Sequence, residues 1–200
     1  MEPECGKNKQ KPYNFCGGFL ISRKFVLTAA HCMFDLVTHI VLTTNDFMVG
    51  VNEHDLLTKD GEVPTKVKKI IVHPQFANDK LIRGQRFMEY DFALVQLDAP
   101  QNQKYICLPK SDNMYTSTEA VTAGWGLDDN QKIPSTPIEV DLKTSKNPTC
   151  DVFPSVSNNM ICAGKYGNPK EGSCYGDSGG PLMVGKTLIG VVSRGSIHGP

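Results

Sequence analysis

Nine short runs of β-branched and other apolar residues, bounded by turn formers such as Gly, Pro, Asn and Asp, constrain this chain more than any other feature. They cover residues 18–27, 39–43, 67–72, 92–97, 120–123, 138–142, 160–163, 181–184 and 187–192. Runs of this kind form strands, because β-branched side chains are stiff at χ1 and pack well on a pleated surface. The residues between them tolerate the dihedrals that reverse a chain. One short helical stretch is expected at 29–34, and no segment keeps a 3.6-residue apolar period over three turns. With no strand–helix alternation a parallel α/β sheet is excluded, and the chain reads as an all-β barrel or sandwich. Segments 116–119 and 128–137, rich in Asp, Asn, Ser, Thr and Pro, read as exposed loops.

With 200 residues, 40% of them hydrophobic, the chain can bury a sizeable core as one domain over 1–200. Its 21 basic and 21 acidic residues cancel, so no net field recruits nucleic acid or an anionic membrane surface. No apolar run reaches the roughly 18 residues that span a bilayer, and the segment 1–10 is polar rather than signal-like. Seven cysteines (Cys5, Cys16, Cys32, Cys107, Cys150, Cys162 and Cys174) are scattered without a C-x-x-C pair. That favours the disulfides of a secreted protein over a zinc site. Seven is odd, so at least one thiol is left over or pairs outside the chain.

The segment Gly176-Asp177-Ser178-Gly179-Gly180-Pro181 carries the most specific chemical signal. Glycines on both sides of a serine allow a tight turn that exposes the hydroxyl and aims backbone N–H groups at one point. A hydroxyl is a weak nucleophile at its own pKa and needs a base held by a third group, so the serine alone means little. Two upstream segments supply such groups: Leu27-Thr28-Ala29-Ala30-His31-Cys32 and Tyr90-Asp91-Phe92-Ala93-Leu94-Val95. Taken singly, His31 reads as a core histidine and Asp91 as a turn carboxylate; the joint pattern points to chemistry. His39, His54, His73 and His198 lack this support and read as surface or strand-end residues.

In chain order His, Asp, Ser, these segments resemble the chymotrypsin family of serine proteases, and the order sets aside the subtilisin and α/β-hydrolase arrangements. The resemblance continues through Cys16-Gly17-Gly18-Phe19-Leu20-Ile21, residues 70–74, Cys107-Leu108-Pro109 and Ala123-Gly124-Trp125-Gly126. It goes on through Ile161-Cys162-Ala163-Gly164 and Gly190-Val191-Val192-Ser193, covering nearly the whole chain. It implies an all-β fold of two six-stranded-type antiparallel β-barrels, packed together with the active site in the cleft between them. Residues 1–15 would be a propeptide-like segment, 16–110 the first barrel and 111–200 the second, with the crossover in 100–118. The implied activity is that of a serine endopeptidase working through an acyl-enzyme on Ser178. His31 would be the base, Asp91 would orient it, and the N–H groups of Gly176 and Ser178 would form the oxyanion hole.

The same resemblance implies disulfides Cys16–Cys32 and Cys150–Cys162, with Cys5 tied to Cys107 and Cys174 left unpaired in this chain. Ala120 and Val184 stand together where many members have a further disulfide. The substrate pocket would be formed by Gly172, Ser173, Tyr175, Ser193, Arg194 and Gly195. Gly172 stands at the floor, six residues before Ser178, where a trypsin-like enzyme carries Asp, so an apolar or small residue is expected before the scissile bond. Arg194 stands where an aromatic platform is usual. No organic cofactor is implied. Glu53, Asp60 and Glu62 offer hard oxygen ligands to calcium, beside the plainer reading of a solvated acidic loop. The expected partners are protein or peptide substrates and a protein protease inhibitor, with no nucleic acid and no membrane, and the protein is expected to be a secreted, extracellular monomer.

Two departures from the family pattern bear on activity. Members begin their mature chain with a motif like Ile-Val-Gly-Gly, whose amino group pairs with the Asp before the nucleophile, here Asp177; no such motif precedes Cys16. The sequence also stops short of the last pocket strand and the C-terminal helix, so both barrels are expected to be incomplete. With the His31, Asp91 and Ser178 segments all intact, these departures read as lost segments rather than a remodelled site. The alternative reading is a catalytically silent or zymogen-like homologue that acts as a binding or regulatory protein.

Overall fold

The run at 18–27 is not one strand. In the computed structural model, β1 (Phe19–Ser22) turns back through Arg23 and Lys24 into β2 (Phe25–Thr28), a hairpin with Phe19 opposite Leu27. The structure describes residues 15–35, 38, 40–82, 85–110, 115–128, 130–145, 157–165 and 172–195, with the backbone alone described at 77–82 and 85–87. A 3-10 turn (His31–Met33) follows β2, in the stretch expected to be helical.

Two five-stranded antiparallel sheets make up the fold. The first has the order β1-β2-β7-β4-β3, with β3 Met48–Val51, β4 Val63–Val72 and β7 Ala93–Leu97. The second has the order β10-β9-β8-β11-β12, with β8 Glu119–Gly124, β9 Ile138–Ser145, β10 Cys162–Gly164, β11 Pro181–Val184 and β12 Thr187–Val191. A separate hairpin of β5 (Ala77–Ile82) and β6 (Gln85–Glu89) stands between β4 and β7. Both sheets curl into half-barrels, and each described sheet has five strands where six were expected.

Central strand β7 shows why the first sheet holds. Ala93, Val95 and Leu97 point inward and are buried, while Leu94 and Gln96 alternate outward, the period of two that a half-buried strand requires. They join Val26, Ala29, Ala30, Met33, Val51 and Val67 in one core. The second sheet has a smaller one, Ala120, Leu142 and Leu182, with Val140, Ile161, Val184 and Ile189 partly covered around it. The connection after β7 is tied to both halves. Gln101 reaches Thr65 Oγ1 at 3.1 Å, the Ile106 N–H donates to Leu20 O at 2.9 Å, and Cys107 forms an isolated bridge to Thr187.

One expected strand is absent. At 39–43 the described residues make a single bridge, Val41 to Phe34, and Ile40 is 68% exposed, because no strand among the described residues lies beside this run. Of the two expected loops, the second is organised by its own side chain: Asp128 Oδ1 accepts from the Asn130 and Lys132 N–H groups at 2.9 and 2.8 Å.

Candidate active site

Strand register brings the first two site residues together. Thr28, the last residue of β2, pairs with Ala93, the first of β7, so the residues just beyond these ends, His31 and Asp91, become neighbours. Asp91 is buried, and its carboxylate is held by three donors. Oδ1 accepts from the His31 backbone N–H at 2.8 Å. Oδ2 lies 2.7 Å from His31 Nδ1 and accepts from Ser193 Oγ at 2.6 Å. An Nδ1–H that donates to a carboxylate leaves Nε2 as the acceptor of the neutral imidazole. Nε2 lies 3.9 Å from Cys32 Sγ, in the disulfide that joins Cys16 to Cys32.

Tyr90, just before Asp91, has φ +52°, a left-handed conformation that costs a residue with a β-carbon about 1–2 kcal/mol. Its ring stacks on His73 with centroids 4.9 Å apart and planes 4° apart. His73, which reads from sequence as a strand-end histidine, is therefore part of this neighbourhood. The Ser193 bond to Asp91 is likewise invisible to sequence, where Ser193 reads only as a pocket wall.

Ser178 sits in a turn between Cys174 and β11. The Asp177 N–H donates to Cys174 O at 3.1 Å, the Gly180 N–H to Asp177 O at 2.8 Å, and the Gly17 N–H to Ser178 O at 2.7 Å across the sheets. Gly179 has φ +80°, and a β-carbon there would lie 2.2 Å from Thr28 Oγ1 and 2.4 Å from Gly17 O, so only glycine fits. Among the described residues, the N–H groups of Gly176 and Ser178 donate to nothing, and no hydrogen bond joins Ser178 Oγ to His31. The structure thus brings His31 to Asp91 and holds the Ser178 turn against the first sheet, leaving the serine hydroxyl outside the dyad's hydrogen bonds.

The Asp177 carboxylate ties the start of this turn to Gly126. Its Oδ1 accepts from the Gly126 N–H at 2.8 Å and its Oδ2 from the Cys174 N–H at 2.9 Å. Burial raises its pKa above the ordinary range, and these two N–H bonds offset part of that rise. The carboxylate borders a cavity of about 280 Å³ between the sheets, lined also by Gly18, Leu20, Phe47, Gly124 and Trp125 and containing neither His31 nor Ser178.

On the other side, Ser173 and Gly195 approach closely, since a β-carbon on Gly195 would lie 3.3 Å from Ser173 O. Gly172 is half-buried and Tyr175 is 62% exposed. Arg194 is half-buried beside Asp91, with Nη2 3.4 Å from Met160 Sδ; burial lowers its pKa, and Asp91 opposes that shift.

Cys162 is buried and disulfide-bonded, and Cys150, its expected partner, lies outside the described residues. Cys107 carries an exposed free thiol among the described residues, and its backbone forms the bridge to Thr187. Cys5 lies outside the described residues. In the first half, ligand oxygens of Glu53, Asp60 and Glu62 lie within 4.8 Å of one another. Glu53 Oε1 is buried with no hydrogen-bond partner among the described residues. Burial, then Glu62 and Asp60, push the Glu53 pKa up. An orphaned oxygen in a cluster of mutually repelling carboxylates suits a hard divalent cation.

Residues 6–199 match the family model for Trypsin. The chain belongs to the trypsin family of serine proteases. It is 32% identical to human kallikrein-12, covering 97% of this chain and 78% of that protein. It is 32% identical to trypsin-3 of Salmo salar, over 96% of this chain and 79% of that protein. With mouse ovochymase-2 it shares 34% identity over 94% of this chain but only 32% of the relative's length. Against Drosophila filzig it spans 11% of the relative. No helix among its described residues is long and apolar enough to cross a membrane.

Proposed function

We propose that this chain is a secreted serine endopeptidase in which Ser178 is the nucleophile, His31 the general base and Asp91 its orienter. The observation that carries the reading is the Asp91 carboxylate, buried and bonded to both the backbone N–H and Nδ1 of His31. Ser178 Oγ turns toward His31 Nε2, gives up its proton there and attacks the scissile carbonyl carbon. The oxygen of the tetrahedral adduct takes the Gly176 and Ser178 N–H groups, which have no other acceptor among the described residues. His31 then protonates the leaving amine as the C–N bond breaks, and water, deprotonated by His31, releases the acyl group from Ser178.

With Gly172, Ser173, Tyr175, Ser193, Arg194 and Gly195 around the first subsite, the chain favours an apolar or small residue before the cleaved bond, because no carboxylate stands at Gly172 to pair with Lys or Arg. Asp177 is the activation carboxylate, and the cavity beside it has room for a chain segment bearing an amino group. Glu53, Asp60 and Glu62 would hold a calcium ion, with the remaining ligands from carbonyl groups or water; the ion would brace the loop and take no part in hydrolysis. The protein acts as a monomer and is a target for a protein inhibitor of serine proteases.

A second reading, a zymogen-like or silent homologue that works by binding, draws on the missing hydrogen bond between Ser178 and His31. A peptide panel separates them. Cleavage after apolar or small residues, abolished by Ser178→Ala, is expected. A well-folded chain that cleaves nothing favours the second reading, and best cleavage after Lys or Arg overturns the subsite assignment.

A further inference from the structure

We propose that His73 and Tyr90 are positioning residues that clasp the base of the β5–β6 hairpin and thereby aim the Asp91 carboxylate at His31. The proposal rests on the proteolytic reading for its consequence in catalysis, whereas the geometry it concerns exists with or without turnover.

His73 follows the last residue of β4, and Tyr90 follows the last residue of β6, so the whole hairpin loops out between them. Their rings nevertheless meet at 4.9 Å and 4°. The turn they enclose is tight. The Phe92 N–H donates to Tyr90 O at 2.7 Å, a bond from one residue to the next but one, which puts Asp91 at the apex. His73 holds both arms of that turn. Its ring covers Tyr90 on one arm, and its backbone N–H donates to Phe92 O at 2.9 Å on the other. The imidazole is itself fixed, because Nδ1 accepts from the Gln75 N–H at 3.2 Å, and the His73 carbonyl accepts from the Phe76 N–H at 2.9 Å.

This arrangement accounts for the left-handed φ of Tyr90. A strained conformation in a residue with a β-carbon persists only where its surroundings over-determine it, and such positions cluster where geometry serves chemistry. With the dihedral fixed, the Asp91 carboxylate meets three donors from two directions: the His31 N–H, His31 Nδ1 and Ser193 Oγ. Were the clasp opened, the turn would relax toward negative φ at Tyr90 and swing the apex. Two separate His31 contacts cannot both follow such a swing. The clasp also joins the two chain ends of the hairpin beside Asp91. What matters at position 90 is the flat ring, since the Tyr90 hydroxyl makes no hydrogen bond among the described residues.

The test is the far-downfield proton resonance of His31 Nδ1–H, assigned by its loss in His31→Ala. It is recorded on the whole chain and on Tyr90→Phe, Tyr90→Leu, Tyr90→Ala and His73→Ala, beside the melting temperature and the rate of labelling by a fluorophosphonate. Tyr90→Phe is expected to match the parent in all three. Tyr90→Leu, Tyr90→Ala and His73→Ala are expected to lose or broaden the resonance and to label about 10- to 100-fold more slowly, while melting within about 5 °C of the parent. Retention of the resonance and rate in folded Tyr90→Ala, or in folded Tyr90→Leu should the alanine variant not fold, overturns the proposal. So does absence of the resonance from the parent chain. If the parent fails to label but shows the resonance, proteolysis is refuted and the clasp is still judged by the resonance in the variants.

Discussion

In the first sheet, His31 and Asp91 lie at the paired ends of β2 and β7, above a continuous core of Val26, Ala29, Met33, Val67, Val95 and Leu97. In the second, Ser178 lies in a turn before β11, beside a smaller described core cluster of Ala120, Leu142 and Leu182, with Leu188 and Cys162 buried as well. The dyad is therefore fixed by side-chain packing through two adjacent strands. Ser178 is held mainly by backbone: the Gly17 N–H on Ser178 O, the Gly179 N–H on Val192 O and the two N–H groups on Asp177. Packing resists displacement in every direction, whereas a few hydrogen bonds in a glycine-bounded turn permit rearrangement.

The comparison breaks most visibly if both cores respond alike to truncation. Leu97→Ala, at a fully buried central position, is expected to cost about 4 kcal/mol in denaturant unfolding, against about 2–3 kcal/mol for Leu182→Ala, whose thinner surroundings collapse more readily. Equal costs would remove the contrast. Next comes Gly179→Ala, which meets the strained φ and the close contacts with Thr28 and Gly17 together. It is expected to lower the fluorophosphonate labelling rate at least about 100-fold.

A smaller effect sharpens the electrostatic side. Because burial raises the Asp177 pKa above the ordinary 3.8, the folded chain holds that proton more tightly than the unfolded chain. The stabilisation is fully present below pH 3.8 and is lost as pH climbs from there through the raised folded pKa. The melting temperature of Asp177→Asn, measured relative to the parent, is accordingly expected to rise over that window and then level off. A flat difference would mean that the two N–H bonds balance burial, and a falling one that they outweigh it. The smallest effect belongs to the first half: about 1 mM calcium is expected to raise the melting temperature by about 2–4 °C. Glu53→Gln should abolish that rise.

Legibility in the sequence followed the same division between packing and long-range contact. Strands β7 and β11 were readable because their apolar residues alternate or cluster between turn formers, and the Ser178 turn because its glycines leave few alternatives. Strand β3, Met-Val-Gly-Val, was not, since a glycine and one exposed face dilute the signal. The hairpin of β5 and β6 was hidden by charged residues interspersed along Ala-Asn-Asp-Lys-Leu-Ile and Gln-Arg-Phe-Met-Glu. The opposite error arose at Ile40 and Val41, which have strand-like side chains without a neighbouring strand among the described residues. His31, Asp91 and Ser178 were legible through their joint pattern. The stack of His73 on Tyr90 and the Ser193 bond to Asp91 were not, because each depends on two segments brought together only by the fold.

The central claim, that the three separated residues act as one nucleophilic site, is tested most directly by stoichiometric labelling of the folded chain with a fluorophosphonate. One label per chain on Ser178, lost in Ser178→Ala and at least about 100-fold slower in His31→Ala, is the predicted result. A folded chain that takes up no label, or labels equally fast without His31, would contradict it.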